Sequence, residues 1–253
     1  YFSAEGQLWG NPLYDWERQR KDGYAWWVDR LASALDTFDV VRVDHFRGLD
    51  RYYAIPAGNK NAVVGRWCDG PKNTLFKAAK KRFGALSVIA EDLGVMDDGV
   101  RKLLKDTGFP GMKILLFAFE GGENDYLPKN IGHNSVCYTG THDNDTAVGY
   151  LKRQNPAFLK FVRKNIRAAL ESRGLSHSLR GYKNIADALL HLLFECDACL
   201  SVVPVQDLLF LDNAARMNTP STNEVNWRFR FKALPSAADA ARLHAFLERY
   251  HRL

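Results

Sequence analysis

Short β-branched and apolar runs alternate with segments of helical periodicity along most of this chain. Val40-Val41-Arg42-Val43, Leu86-Ser87-Val88-Ile89-Ala90, Lys113-Ile114-Leu115-Leu116-Phe117-Ala118-Phe119, Ser135-Val136-Cys137-Tyr138-Thr139 and Leu200-Ser201-Val202-Val203 read as strands. They are brief and rich in residues that suit a buried, pleated surface. Tyr24 to Phe38, Asn73 to Phe83, Asp97 to Thr107, Pro156 to Ser172 and Ile185 to Glu195 carry helical spacing instead. In the first of these Trp27, Leu31, Ala34 and Leu35 fall on one face, and core packing is expected of Trp26 and Trp27. Asp97 and Asp98 stand where a helix start exposes its amides. Ala237 to Tyr250 reads as a terminal packing helix, and Gly10-Asn11-Pro12 marks an irregular opening.

Strands and helices in strict alternation, with no dividing linker, predict an α/β fold with a parallel sheet covered by helices. Five strands fall short of the eight that close a barrel. The pattern therefore leaves two architectures, an open α/β sheet or the C-terminal part of a (β/α)8 barrel.

Bulk properties narrow the function classes. A composition of 46% hydrophobic and 25% charged residues is that of an ordinary globular protein. The net charge of +6 comes from 35 basic and 29 acidic residues, without a Lys/Arg block or a nucleic-acid motif, so no nucleic-acid partner is expected. No run approaches the length needed to span a bilayer, so no membrane partner is expected either. Cys68, Cys137, Cys196 and Cys199 form no metal framework and are expected to be buried free thiols. The chain opens at Tyr1-Phe2-Ser3-Ala4 rather than at Met, so a preceding segment, with any targeting sequence, is expected.

The chemistry lies at the strand ends. Arg42-Val43-Asp44-His45-Phe46, Ala90-Glu91-Asp92-Leu93-Gly94 and Thr141-His142-Asp143-Asn144-Asp145 each present acids where an apolar run stops. Barrel enzymes place catalytic groups there, and paired carboxylates are the tools of glycoside chemistry. Any one such acid alone is more simply a helix cap or an arginine partner; three at equivalent ends favour a site. Arg42, two positions before Asp44, shares its strand face and would keep that carboxylate ionised, as a nucleophile requires. Glu91 follows a more apolar strand, where desolvation would let it hold a proton and act as general acid, then base. His142 and Asn144 surround Asp143 with polar groups suited to gripping sugar hydroxyls. Trp9, Tyr14 and Phe46 border polar loops, where rings stack on sugars. His45, Asp92, His142 and Asp145 are metal-type ligands, but their spacing makes no recognised site, and neither metal nor cofactor is expected.

Together with Phe2-Ser3-Ala4, Gly6-Gln7-Leu8-Trp9-Gly10-Asn11-Pro12 and Pro204-Val205-Gln206-Asp207-Leu208-Leu209, these motifs resemble the amylomaltase family of 4-alpha-glucanotransferases. The Trp-Gly-Asn-Pro block is specific to that family, whereas the acidic motifs alone indicate the wider alpha-amylase-like superfamily. The resemblance implies that residues 1–253 are the C-terminal portion of a catalytic barrel, strands four to eight. The N-terminal half of the same protein would then be the missing structural partner. It implies Asp44 as nucleophile, Glu91 as general acid/base and Asp143 as transition-state stabiliser. Arg42 and His142 would bind the donor sugar, with Trp9 and Gln7 beside the acceptor subsites and Asn218 on a late substrate-proximal loop, Met217-Asn218-Thr219-Pro220. Two positions depart from the family: Ser221 stands where Gly is usual, and Phe229 where Trp is common.

The implied reaction is retaining transfer between α-1,4-glucans and maltooligosaccharides, in which nucleophile and acid lie about 5–5.5 Å apart. An α-glucan hydrolase, a non-catalytic glucan-binding relative and an inactive fragment are the alternatives. The cytoplasm is the compartment implied by bacterial members.

Overall fold

A computed structural model describes residues 4–223 and 225–252, so Phe2 and Ser3 of the opening motif lie outside the described residues. The chain forms two compact units, divided after Met112.

In the first unit, α1 (Trp16–Lys21) and α2 (Ala25–Leu35) precede β1 (Val41–Val43). There follow α3 (Arg47–Asp50), β2 (Arg51–Ala54), β3 (Arg66–Asp69), α4 (Asn73–Phe83), β4 (Val88–Ala90), α5 (Asp98–Thr107) and the start of β5 (Gly111–Ile114). β1 and β4 are parallel and in register at Val41–Val88, Arg42–Ile89 and Val43–Ala90, while Ala90 pairs onward with Gly111. Asp97 caps α5 through the Val100 amide, 3.1 Å away, and Gly108 ends that helix in the left-handed conformation. β2 and β3 form an antiparallel pair that the sequence pattern did not predict.

The core of this unit gathers Val28 and Leu31 of α2, Val43 of β1, Leu75, Phe76 and Ala79 of α4, and Val88 and Ala90 of β4. Phe46, Phe76 and Phe109 pack ring on ring at its centre, with centroids 4.9–6.3 Å apart. Burying a Phe of this kind contributes about 1.5–3 kcal/mol. Phe46 is therefore core rather than a sugar platform: none of it is exposed. Trp26 departs from expectation in the other direction. It is 53% exposed, in a ring cluster with Tyr14 and Trp27 beneath Arg30.

The second unit holds α6 (Leu115–Ala118), β6 (Ser135–Tyr138), α7 (Ala147–Arg153), α8 (Pro156–Ser172) and α9 (Gly181–Glu195). It closes with β7 (Leu200–Val202), α10 (Val205–Leu208) and α11 (Ala237–Arg249). β6 and β7 are parallel, from Val136–Leu200 to Tyr138–Val202. Ile185, Ala188, Leu189, Leu190, Leu192 and Leu193 are all buried, so α9 is apolar around most of its girth and acts as the hub of this unit.

Parallel strands alternate with helices in both units, the α/β class expected. The run from Lys113 to Phe119 is not one strand, however: β5 ends at Ile114 and the chain turns into α6. After Lys113 every residue of the run is apolar, so it carries no period by which strand and helix can be told apart. The Leu116 amide then donates to the Thr139 carbonyl rather than extending a ladder. All four cysteines are free, but only Cys137 and Cys196 are buried; Cys199 is exposed and Cys68 half-buried, against the expectation for all four. No helix among the described residues is long and apolar enough to cross a membrane.

Candidate active site

In the first unit, parallel β1 and β4 end side by side and deliver Asp44 and Glu91 to neighbouring turns. The Arg42 guanidinium donates to Asp44 Oδ1 at 2.6 Å and lies 3.3 Å from the Met112 sulfur. The Asp44 side chain is 74% exposed, open to an incoming ligand. Glu91 is half-buried and doubly held. Oε2 accepts the His45 amide at 2.7 Å, and Oε1 accepts the Leu93 amide at 2.9 Å.

His45, whose amide makes the first of these bonds, adopts φ 46°, in the left-handed region that few non-glycine residues occupy. Backbone bonds between the Phe46 amide and the Glu91 carbonyl, and between the Glu91 amide and the Val43 carbonyl, lock the two turns together. Burial pushes the Glu91 carboxyl above its ordinary range. The two amides and Arg42 pull the other way, Asp44 adds to the rise, and desolvation prevails.

The second unit positions Asp143 after β6. Asn218 Nδ2 donates to Asp143 Oδ1 at 2.6 Å, and Arg216 donates to the Asp143 carbonyl at 2.7 Å. Arg216 also holds the Asn218 carbonyl at 2.7 Å, so a single guanidinium ties the late loop to the acidic turn. His142 Nε2 lies 3.4 Å from Asp143 Oδ2, and its ring packs on Trp227 with centroids 5.2 Å apart. Asn226 fixes the loop from within, accepting the Thr219 amide and donating to the Thr222 carbonyl. Thr141, His142, Asn144, Gln206, Arg216 and Met217 line a cleft of about 140 Å³. A roomier groove along α8 is lined by Lys160, Arg163, Lys164 and Arg167 and has no acid or nucleophile to offer.

Buried Asp207 supports this turn. It accepts from the Thr139 hydroxyl and from the Ala147 amide, joining the end of β6 to the start of α7. Burial pushes its carboxyl upward.

Of the residues singled out from sequence, Arg42, Asp44 and Glu91 come together in the first unit, and His142, Asp143 and Asn218 in the second. Gln7 and Trp9 lie exposed on the irregular opening segment, and neither side chain makes a hydrogen bond or ring contact with another described residue. The candidate metal ligands have other engagements: Asp92 accepts the Met112 amide, and Asp145 faces Arg153 at 3.0 Å. Sequence reasoning missed Arg216 and Trp227. Their signal was position, since Arg216 immediately precedes the Met217 loop and Trp227 belongs to an aromatic–arginine segment after it.

Comparison with known proteins identifies relatives of the chain. The 4-alpha-glucanotransferase family model matches residues 1–236. The chain is 45% identical over 230 residues to the 4-alpha-glucanotransferase of Streptococcus pneumoniae, covering 90% of this chain and 44% of that protein. It is 42% identical over 257 residues to the chloroplastic/amyloplastic 4-alpha-glucanotransferase of Oryza sativa, covering 100% of this chain and 41% of that one. Among solved structures, amylomaltase from Streptococcus agalactiae in complex with acarbose matches with a TM-score of 0.88 at 32% identity, covering 99% of this chain and 49% of that chain. The chain thus spans less than half the length of these curated relatives.

Proposed function

This chain belongs to the 4-alpha-glucanotransferase family, and from that premise we propose that it carries the catalytic carboxylates of a retaining α-1,4-glucan transferase. The observation that carries the reading is the Asp44–Glu91 pair. One acid is exposed and clamped by an arginine; the other is half-buried and pushed towards its protonated form. Environments that separate two carboxylates in this way assign nucleophile and proton donor.

Asp44 attacks the anomeric carbon of the donor glucan while protonated Glu91 passes its proton to the departing glycosidic oxygen. The product is a β-linked glycosyl ester on Asp44 and a free glucan end. Glu91, now ionised, takes the proton from the 4-hydroxyl of an acceptor, whose oxygen displaces Asp44 and restores the α linkage. The amides of His45 and Leu93 hold the Glu91 oxygens through both half-reactions. Asp143, braced by Asn218, grips ring hydroxyls more tightly as the ring flattens, which is where binding accelerates a reaction. Arg42 and His142 belong to the donor subsite in this reading, and exposed Trp9, with Gln7, offers a surface to the acceptor.

The strands correspond to the fourth to eighth of a (β/α)8 barrel, and residues 1–253 to the C-terminal portion of one catalytic domain. The short coverage of the relatives supports a structural partner in the rest of that barrel. Bacterial relatives support a cytoplasmic location, and the plant relative a plastid one.

Incubation of the protein with maltotriose tests the activity. Glucose with a ladder of longer maltooligosaccharides is the expected result. Glucose and maltose alone would make water the acceptor and the protein a hydrolase; binding without turnover would make it a glucan-binding relative.

A further inference from the structure

Three side chains of the second unit that the glucan chemistry leaves unused converge on one point. Asp187 and His191 stand four residues apart on one face of α9, and His177 reaches them from the irregular stretch between α8 and α9. One ligand atom from each lies within 4.8 Å of the other two. His177 Nε2 is 3.1 Å from Asp187 Oδ2, and His191 Nε2 is 3.8 Å from the same oxygen. Ligand atoms around a tetrahedral ion bound at 2.0–2.1 Å are separated by about 3.3 Å, which these distances bracket. Among the described residues this is the one His/Cys/Asp/Glu group close enough to hold an ion.

The simple alternative is a hydrogen-bonded His–Asp–His cluster, and the geometry disfavours it. Despite its closeness to Asp187, buried His177 Nε2 has no hydrogen-bond partner among the described residues. A polar atom left in that state carries a desolvation cost that an ion would remove. The surroundings are those of ligands held in place. His191 Nδ1 meets the Tyr250 hydroxyl at 2.6 Å; in the tautomer where Nδ1 donates to that hydroxyl, the Nε2 lone pair faces the cluster. The second carboxylate oxygen of Asp187 faces the Arg242 guanidinium at 3.8 Å. Arg242 is itself anchored on the Phe210 ring and the Leu208 carbonyl. Side-chain exposures of 14–23% leave room for an ion and water to enter.

We propose that His177, Asp187 and His191 form a binding site for one divalent transition ion of the zinc class, with water completing its coordination. Two histidines and a carboxylate are a donor set suited to such ions. The ion would fasten the stretch carrying His177 to α9 and, through Tyr250, the end of α11. This departs from the expectation of no metal drawn from the sequence. Asp187 and His191 show ligand spacing there, but nothing in the sequence brings His177 to them.

The test is binding, independent of any glucan activity. The protein is stripped with a chelator and titrated with Zn²⁺ by calorimetry and with Co²⁺ by visible absorption, each metal alone. One ion per chain, saturating at micromolar concentration and raising Tm, with the intense ligand-field bands of low-coordinate Co²⁺, is expected. His177→Ala and Asp187→Asn should each weaken binding by at least ~100-fold and abolish the Tm rise, and Tyr250→Phe by ~10-fold. His177→Ala alters a partly exposed residue outside any helix, which protects the fold. Absence of saturable binding to the unaltered protein overturns the proposal. So does undiminished binding after His177→Ala.

Discussion

Replacing Asn218 by Ala removes the group that braces Asp143 without touching an acid. The deleted bond is short, 2.6 Å, and its acceptor is a carboxylate. A charge-assisted bond of this kind contributes about 1.5–3 kcal/mol when water is excluded. The Asp143 side chain is 45% exposed, so water replaces part of what is lost. Arg216 still holds the Asp143 backbone. A net loss of about 1–2 kcal/mol follows, or roughly 5- to 30-fold in rate at 1.4 kcal/mol per decade. Initial rates of transfer from maltotriose should show that loss in kcat and in kcat/KM, with KM little changed, because Asp143 is proposed to act mainly in the transition state. Asn218→Asp should be worse, since it sets a second carboxylate against the first. A loss below twofold, or one confined to KM, would refute the bracing role.

Other consequences follow from the same structure. Because burial raises the Glu91 pKa, kcat/KM should decline on the alkaline side with a midpoint above the ordinary 4.5 of a glutamate, as the proton needed for transfer is lost; a midpoint at or below that value contradicts the assignment. Asp207→Ala strands the Thr139 hydroxyl and the Ala147 amide in the interior and should lower unfolding stability by about 2–4 kcal/mol in urea titration; a change under 1 kcal/mol would show that these groups find other partners. Ser221 holds φ 64°, where glycine carries no steric penalty, so Ser221→Gly should stabilise the protein by about 0.5–1 kcal/mol, and a lower Tm would contradict this account of the strain.

Much of this architecture was legible because local signals agreed with tertiary ones. α4 and α8 run between the residues their periodicity indicates, since α4 buries Leu75, Phe76 and Ala79 on one face and α8 buries Leu159, Val162 and Ile166. The acids at strand ends were visible for the same reason: an apolar run that stops at an acid marks both the buried strand and its exposed end. What was not legible depends on contacts distant in sequence or on backbone turns. Nothing near Asp143 announces that Asn218, 75 residues on, will donate to it. The His45 amide donates to Glu91, 46 residues on, from a residue in the left-handed region, and residue identity signals neither. The Lys113–Phe119 run misled because every residue after Lys113 is apolar. Ser221 is intermediate: its departure from the family glycine was visible, and its positive φ gives that departure a physical meaning.

The central claim is that Asp44 is the nucleophile and Glu91 its proton partner, and trapping tests it most directly. The Glu91→Gln protein is incubated with α-maltosyl fluoride, whose leaving group departs without a proton donor. Glycosylation then proceeds while removal stalls for want of a base. Mass spectrometry of the intact protein should show one added maltosyl group, and peptide mapping should assign it to Asp44. An adduct on another residue, or fluoride release with the protein unmodified, would contradict the account.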